Sequence, residues 1–244
     1  MSLPRIRLEG SLRIDSKTWL IEPSEAHHLL NVRRCRNGQK IEALIEGRLF
    51  ILRLEIKDGK LLGYVEEEKK APPKRELWVL LGLTKTEAFE LALRQVTECG
   101  ATVIVPLRCE RSVVKIEGNR LEAKMRRWKL ILSEATKQAR AFSIPELFPV
   151  IKVKDIDALS LPAFKYGAFL GRGSIDLLDC TPKDKAAIAI GPEGDWSETE
   201  MQMLEDFGFK PVRLGARIMR APTAAAVGTA ILSMLLEKGW SNAL

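Results

Sequence analysis

The stretch Glu66-Glu-Glu-Lys-Lys-Ala-Pro-Pro-Lys-Arg75 restricts the possible folds of this chain more than any other segment. Pro72 and Pro73 lack backbone N–H groups and hold φ near one value, so no continuous helix or central strand crosses them. The dense charge around them favours water over burial. The stretch is therefore expected to be a linker, with separate folding units before and after it.

The two flanks follow different patterns. Before the linker, Arg5-Ile-Arg-Leu8 and Leu12-Arg-Ile14 alternate polar and apolar residues, and Trp19-Leu-Ile21 is a short apolar run; all three predict strands. Pro23-Ser24 opens a short helical segment, Glu25 to Asn31, with Ser24 as its N-cap. Ile41 to Ile45 and Arg48 to Ile56 predict further strands, the second with Leu52, Leu54 and Ile56 on one face. Asp58-Gly59 is the pair that a type I′ hairpin turn favours, ahead of Leu61-Leu-Gly-Tyr-Val65. Many short strands joined by tight turns predict a small β-barrel over residues 1–70.

Beyond the linker, strands and helices alternate. Leu77-Trp-Val-Leu-Leu-Gly-Leu83 is a buried-strand run, and Phe89, Ala92, Leu93 and Val96 recur at helical spacing. Ala101 to Val105 predicts the next strand. A long helix is expected from about residue 120 to 140, with Leu121, Met125, Trp128, Leu132 and Ala135 on one face. Strands follow at Tyr166 to Leu170, Ala186 to Ile190 and Val212 to Leu214, then an Ala-rich helix from Pro222 to Glu237. This alternation predicts an α/β domain with a largely parallel sheet over residues 71–244.

Charge narrows the class of partner. Lys and Arg number 39 against 32 Asp and Glu, a net +7 and a pI near 9.3. That balance suits a polyanion such as RNA or DNA, and equally a merely soluble basic protein. The longest apolar runs stop short of a membrane span, and the N-terminus lacks the apolar core of a signal peptide, so a cytoplasmic protein is expected. Cys35, Cys99, Cys109 and Cys180 are scattered, and His27 and His28 are the only imidazoles, which argues against a zinc site or any other metal. The cysteines are expected to be reduced packing residues.

Two segments carry candidate chemistry. In the first, the apolar strand Ala186 to Ile190 enters Gly191-Pro192-Glu193-Gly194, and Ser197-x-x-Glu200 has the spacing of a capping box for the next helix. Ligands of open α/β sheets lie beyond the carboxyl ends of strands, and the glycines leave the backbone accessible to a flat ligand. An ordinary strand-to-helix connection has the same composition. In the second, Val212-Arg-Leu214 enters Gly215, Ile218-Met219 and Arg220, and Pro222 opens a helix. Small residues at 224, 225, 226 and 228 permit either a ligand or tight helix packing. The Walker-type phosphate loop is absent, and no G-x-G-x-x-G follows the first α/β strand, which excludes the common nucleotidase and dehydrogenase patterns.

Together these segments resemble the 16S rRNA uridine N3-methyltransferases, the ribosomal RNA small subunit methyltransferase E family of the SPOUT superfamily. The family pattern is close to I-G-P-E-G-G, then Phe or Leu, then S-x-x-E, followed later by L-G-x-R-I-L-R-x-E-T-A. This chain has Ile190-Gly-Pro-Glu-Gly-Asp-Trp-Ser197 with Glu200, then Leu214-Gly-Ala-Arg217-Ile-Met-Arg220-Ala-Pro-Thr223-Ala224. His27-His28-Leu29, Thr97-Glu98-Cys-Gly100, Arg111-Ser112-Val113 and Glu134-Ala-x-x-Gln138 extend the resemblance over nearly the whole length.

The resemblance implies a PUA-like β-barrel that helps to hold rRNA, followed by a SPOUT α/β domain with a trefoil knot, an exception to unknotted folding. It implies S-adenosylmethionine as cofactor, 16S rRNA or the small ribosomal subunit as substrate, and a homodimer with active sites at the subunit interface. The cofactor-binding residues carried over are Leu170, Gly171, Ile190, Gly191, Pro192, Glu193, Gly194, Leu214, Gly215, Ile218, Met219 and Ala224. Arg220 is the candidate for orienting substrate or stabilising charge, with a phosphate contact as the alternative. Glu193 is the candidate for proton removal, with shaping of its own turn as the alternative. Arg5, Arg7, Arg33, Arg34 and Arg36 are expected to contact RNA, ahead of the basic run Arg120, Lys124, Arg126, Arg127 and Lys129.

The chain departs from the family at Asp195 for a glycine, Gln95 for a lysine, Ala141 for an arginine and Pro222 for a glutamate. These changes bear on substrate placement more than on a backbone-lined cofactor site. They keep open a non-catalytic RNA-binding or ribosome-assembly protein, and a SPOUT enzyme acting on another RNA.

Overall fold

The computed structural model describes residues 3–45, 48–69, 75–112, 117–169 and 173–241, the last four by backbone alone. The chain divides into two compact units, Met1–Lys74 and Arg75–Leu244.

The first unit contains strands β1 (Arg5–Arg7), β2 (Leu12–Arg13), β3 (Thr18–Leu20), β4 (Lys40–Ile45), β5 (Arg48–Lys57) and β6 (Lys60–Lys69). They form a six-stranded sheet in the order β1-β4-β5-β6-β3-β2, parallel at β1–β4 and antiparallel elsewhere. Ile6, Leu8, Trp19, Ile21, Leu29, Ile41, Phe50, Leu52 and Leu54 form its core. Asp58 and Gly59 both take positive φ, 49° and 73°, between the paired Lys57 and Lys60. That is the two-residue turn whose twist matches an antiparallel pair.

Two local expectations are corrected. The helix α1 (Pro23–His27) is capped by Glu22, whose carboxylate accepts from the amides of Ser24 and Glu25. Ser24 lies inside the first turn, and its hydroxyl donates to Glu22. Pro23 has no amide to satisfy, so the cap is displaced to the residue before it. Beyond α1 the chain widens into a π-helical turn, His28–Val32. The second correction concerns the linker. Glu66 to Lys69 belong to β6, where Glu66 pairs with Lys40 and Arg53 across the sheet. Pro72 and Pro73 lie outside the described residues.

The second unit contains β7 (Glu76–Gly82), α2 (Thr86–Glu98), β8 (Val103–Arg108), α3 (Gly118–Gln138), β9 (Glu146–Leu147), β10 (Ile151–Lys152), β11 (Phe164–Ala168), β12 (Ile175–Asp176), β13 (Lys185–Ile190), α4 (Glu198–Asp206), β14 (Lys210–Arg213) and α5 (Ala221–Ser241). The eight strands are all parallel, in the order β10-β8-β7-β13-β11-β14-β12, with β9 beside β8. On one face, Phe89, Leu93 and Val96 of α2 pack with Trp128 and Leu132 of α3 and Ala225 and Leu232 of α5. Phe89 and Trp128 meet with ring centroids 4.6 Å apart. On the other face, Trp78, Trp196, Leu204 and Phe209 form a second core with the 3-10 turn Val153–Ala158. Burial on both faces explains why β7 and β13 are almost continuously apolar.

One charge sits inside the helical layer. Glu90 is 7% exposed, and Arg127 grips both its oxygens at 2.6 and 2.7 Å, joining α2 to α3. The Arg127 guanidinium holds the Glu90 carboxyl below the usual carboxylate range. A depressed folded-state value stabilises above the unfolded pKa and is lost as pH falls through the folded value. The side chain of Arg127 is 64% exposed and screened by water, which limits the loss in Glu90→Gln to about 1 kcal/mol at pH 7. Urea denaturation should show that loss at neutral pH and a gap that narrows as pH falls below the ordinary carboxylate range. A gap that does not narrow on acidification would show that the charge is not its source.

Candidate functional site

The register of three strands builds the site. Ala168 on β11 pairs with Ile190 of β13 on one side and Val212 of β14 on the other, all parallel. The chain therefore leaves three neighbouring strands at one level, and the following segments begin at Phe169, Gly191 and Leu214 beside it. This is the carboxyl edge, where open parallel sheets take ligands. Leu170 and Gly171 belong to the first segment and lie outside the described residues.

Residues distant in sequence hold the Gly191–Gly194 turn. A Cβ on Gly82, the last residue of β7, would lie 2.6 Å from the Pro192 nitrogen and 2.9 Å from the Gly191 carbonyl carbon. Only a residue without a side chain lets β7 meet the turn so closely. A Cβ on Gly194 would fall 3.0 Å from Cβ of Arg111, and the Arg111 guanidinium donates to the Gly194 carbonyl at 3.2 Å. The capping box forms as the Ser197-x-x-Glu200 spacing predicts. Glu200, 6% exposed, accepts from the Ser197 amide at 3.1 Å and also from the Glu110 amide at 2.8 Å. Its carboxylate thus ties α4 to the exit of β8. Sequence reasoning missed Gly82 and Glu110 and marked Arg111 only as part of the Arg111-Ser112-Val113 match, without assigning it to this turn; for Gly82 the visible signal was a glycine closing an apolar strand.

Within the turn, the Pro192 carbonyl accepts from the Asp195 amide at 3.0 Å. Asp195 takes φ 61°, and its Oδ1 accepts from the Trp196 amide at 2.8 Å. A left-handed residue is the reason a glycine suits this position. Aspartate is among the few side chains that tolerate it, because it bonds locally. The departure at Asp195 is thus conformationally matched. Asp195→Gly should leave stability within about 0.5 kcal/mol, whereas Asp195→Ala should cost about 1 kcal/mol through strain and the lost bond. Chemical denaturation of the two variants compares them; equal losses would sink the conformational explanation.

The second loop is held by α5. A Cβ on Gly228 would lie 2.7 Å from Ile188 of β13 and 3.6 Å from Leu214, so the helix presses directly on the sheet at the loop's root. Gly215 has φ 129°. Met219 is half-buried, while Ile218 is 100% exposed. Arg220 is exposed, and its carbonyl accepts from the Ala224 amide at 2.9 Å as α5 begins. Pro222 is buried in the first turn of α5, where its missing amide is no loss.

Of the expected cofactor residues, Gly191 to Gly194 follow β13, and Leu214, Gly215, Ile218 and Met219 follow β14, so the two loops leave the sheet on either side of β11; Ala224 packs against the core from α5. Ile190 is buried in the core, so only its backbone faces the edge. Glu193 and Arg220 are both exposed, on loops that flank β11.

The expected RNA-contacting arginines divide. In the first unit, Arg5 is held in a part-buried ion pair with Glu42 at 2.8 Å, and Arg7 pairs with Glu9 at 2.7 Å. Arg33, Arg34 and Arg36 are exposed after the π-helical turn, Arg33 donating to His28 at 3.3 Å. On α3, Arg127 is committed to Glu90, Lys124 reaches Thr86 at 3.1 Å, and Arg126 pairs with Glu122. Much of that basic run thus serves helix packing and surface pairing.

The cysteines are free, and burial pushes the thiols of Cys35, Cys109 and Cys180 up, away from the reactive thiolate. Among the described residues, no helix is long and apolar enough to cross a membrane, and no cluster of three His, Cys, Asp or Glu could hold a metal ion.

Residues 71–233 match the family described as an RNA methyltransferase domain, and residues 21–62 match the RNA methyltransferase PUA domain. Over 243 aligned residues the chain is 30% identical to ribosomal RNA small subunit methyltransferase E of Synechocystis, covering 92% of this chain and 76% of that one. The chain belongs to the ribosomal RNA small subunit methyltransferase E family. A second member, from Borreliella burgdorferi, is 30% identical over 86% of this chain and 88% of its own. The fold is shared with ribosomal RNA small subunit methyltransferase E of Neisseria gonorrhoeae, solved bound to S-adenosylmethionine. That likeness has a TM-score of 0.80 at 24% identity, over 96% of this chain and 98% of that one. Family membership and the parallel sheet agree with the expected architecture, a PUA-like module followed by an α/β methyltransferase domain.

Proposed function

We propose that this chain is an S-adenosylmethionine-dependent methyltransferase that modifies N3 of a specific uridine in 16S rRNA. In this reading it works in the cytoplasm as a homodimer, residues 71–244 form a knotted catalytic domain, and residues 1–70 hold RNA. The carrying observation is the shared exit level at Ala168, which presents the Gly191–Gly194 turn and the Leu214–Arg220 loop at one edge.

The residues there suit an adenosyl sulfonium. Gly215 has open space where a side chain would stand, which leaves its backbone accessible to a purine edge, while Leu214, Ile218 and Met219 supply apolar surface beside it. When bound, S-adenosylmethionine supplies an electrophilic methyl group. The protein must hold the uracil nitrogen in line with that methyl and remove the imide proton. In this reading Arg220, exposed on the loop before α5, directs its guanidinium at a uracil oxygen and stabilises the developing anion. In the same reading Glu193, exposed on the neighbouring turn, accepts the proton. Exposed Arg33, Arg34 and Arg36 supply phosphate contacts from the first unit.

The test is labelled methyl transfer to purified small subunits and to naked 16S rRNA, with mass spectrometry locating the mark. The expected product is one N3-methyluridine. Cofactor binding without transfer to either substrate would reject the small-subunit assignment. Absence of cofactor binding would reject the enzyme and favour an RNA-binding assembly protein.

A further inference from the structure

A cavity of about 500 Å³ opens at the carboxyl edge of β8 and β10, apart from the loops assigned to the cofactor. Arg108 ends β8, and Lys152 ends β10 as its direct register partner. Lys154 follows, and Thr199 in the first turn of α4 faces the same space. Cys109, Val153 and Met203 supply its apolar lining.

The acidic groups around the cavity are largely spent. Glu200 directs its two carboxylate oxygens to the amides of Glu110 and Ser197. Glu117 pairs with Arg108 at 2.9 Å, but its side chain is 75% exposed, a surface pair that a stronger anion displaces. Asp155 accepts from the Lys152 amide at 3.3 Å. Glu110 is exposed. Lys152 and Lys154 are exposed too, and neither has an ion-pair partner among the described residues. Elsewhere in this unit Arg127, Arg213 and Lys185 are each paired with an acid.

We infer that this cavity is a phosphate-binding channel for the single RNA strand carrying the target base, with Lys152, Lys154 and Arg108 as its contacts. The inference rests on the reading of the chain as an rRNA methyltransferase. Single-stranded loops are the segments of RNA whose bases can be presented to an enzyme, and phosphate contacts set their register. The cavity is well placed for that task. Glu200 on its wall lies in the helix that follows the Gly191–Gly194 turn, and Arg111, next to the Glu110 that Glu200 holds, donates to Gly194 itself. A strand fixed on the lysines therefore runs beside the methyl-transfer edge.

The experiment uses the full chain with Lys152→Ala and Lys154→Ala combined, and a charge-matched control with Lys183→Ala and Lys210→Ala combined, two exposed lysines outside the proposed RNA and cofactor contacts. Affinity for naked 16S rRNA is measured across a salt series, alongside S-adenosylmethionine titration and steady-state methylation. Loss of two single-strand phosphate contacts should flatten the slope of log K against log salt by about 1.4. The KM for RNA should rise at least about tenfold with kcat unchanged, because the contact binds ground and transition states alike. Cofactor affinity should match wild type, and the control should show none of these changes. An unchanged slope, or equal losses in the control, overturns the inference. A wild-type protein that binds no cofactor and transfers no methyl group overturns the functional reading instead, while the salt slopes still decide whether the lysines hold RNA.

Discussion

Replacing Gly82 with alanine is expected to destabilise the protein by about 3 kcal/mol, the upper range for forcing volume into a packed site. The added methyl would meet the Pro192 nitrogen at 2.6 Å and the Gly191 carbonyl carbon at 2.9 Å. These are backbone atoms on both sides, so no side chain can rotate away. Either β7 shifts in the centre of the sheet, or the turn lifts from it. Both would displace the edge proposed to receive S-adenosylmethionine, so cofactor affinity should fall more than tenfold in whatever fraction remains folded. Urea denaturation and cofactor titration read the two effects. Wild-type stability in Gly82→Ala would mean that β7 and the turn are not in contact in solution.

Arg220→Ala is expected to leave the fold and cofactor affinity close to wild type and to lower kcat about a hundredfold, the loss typical of removing one charge-stabilising donor. Arg220 is exposed, and the bond that opens α5 uses its backbone carbonyl, which alanine retains. Single-turnover methylation separates chemistry from binding. Arg220→Lys should restore part of the rate, because a charge is present but the planar fork is lost. If cofactor affinity drops as far as kcat, Arg220 contacts the cofactor and not the reacting base.

Periodicity made much of this fold legible. The runs at Leu77 and Ala186 became the central strands, and Phe89, Ala92, Leu93 and Val96 turned inward together. Asp58-Gly59 formed its turn because that conformation is a property of two residues. Local signals failed where a neighbour competed. Glu22 outbid Ser24 as a helix cap because Pro23 moved the first free amides within reach of its carboxylate. The acidic start of the linker joined β6 because Lys40 and Arg53 stand opposite it.

The site was legible in composition and not in assembly. Glycines and apolar residues marked both loops, yet the common exit level at Ala168 is a matter of strand order, which periodicity does not encode. Gly82 lies more than a hundred residues before Pro192, and nothing local announces their contact. Asp195 shows the converse. As a departure from a glycine pattern it bore on substrate placement, but its backbone conformation is the one a glycine would take.

Glu200 has a consequence for the order in which the molecule assembles. Its carboxylate joins α4 to the amide of Glu110, 90 residues earlier in the chain. The Ser197 half of that network can close as soon as one helical turn exists, whereas the Glu110 half must wait for β8 to enter the sheet. Closing so long a loop is entropically costly, so the contact belongs late on the folding path. Glu200→Gln should therefore accelerate unfolding while barely slowing refolding, the behaviour of a residue whose native contacts form after the transition state.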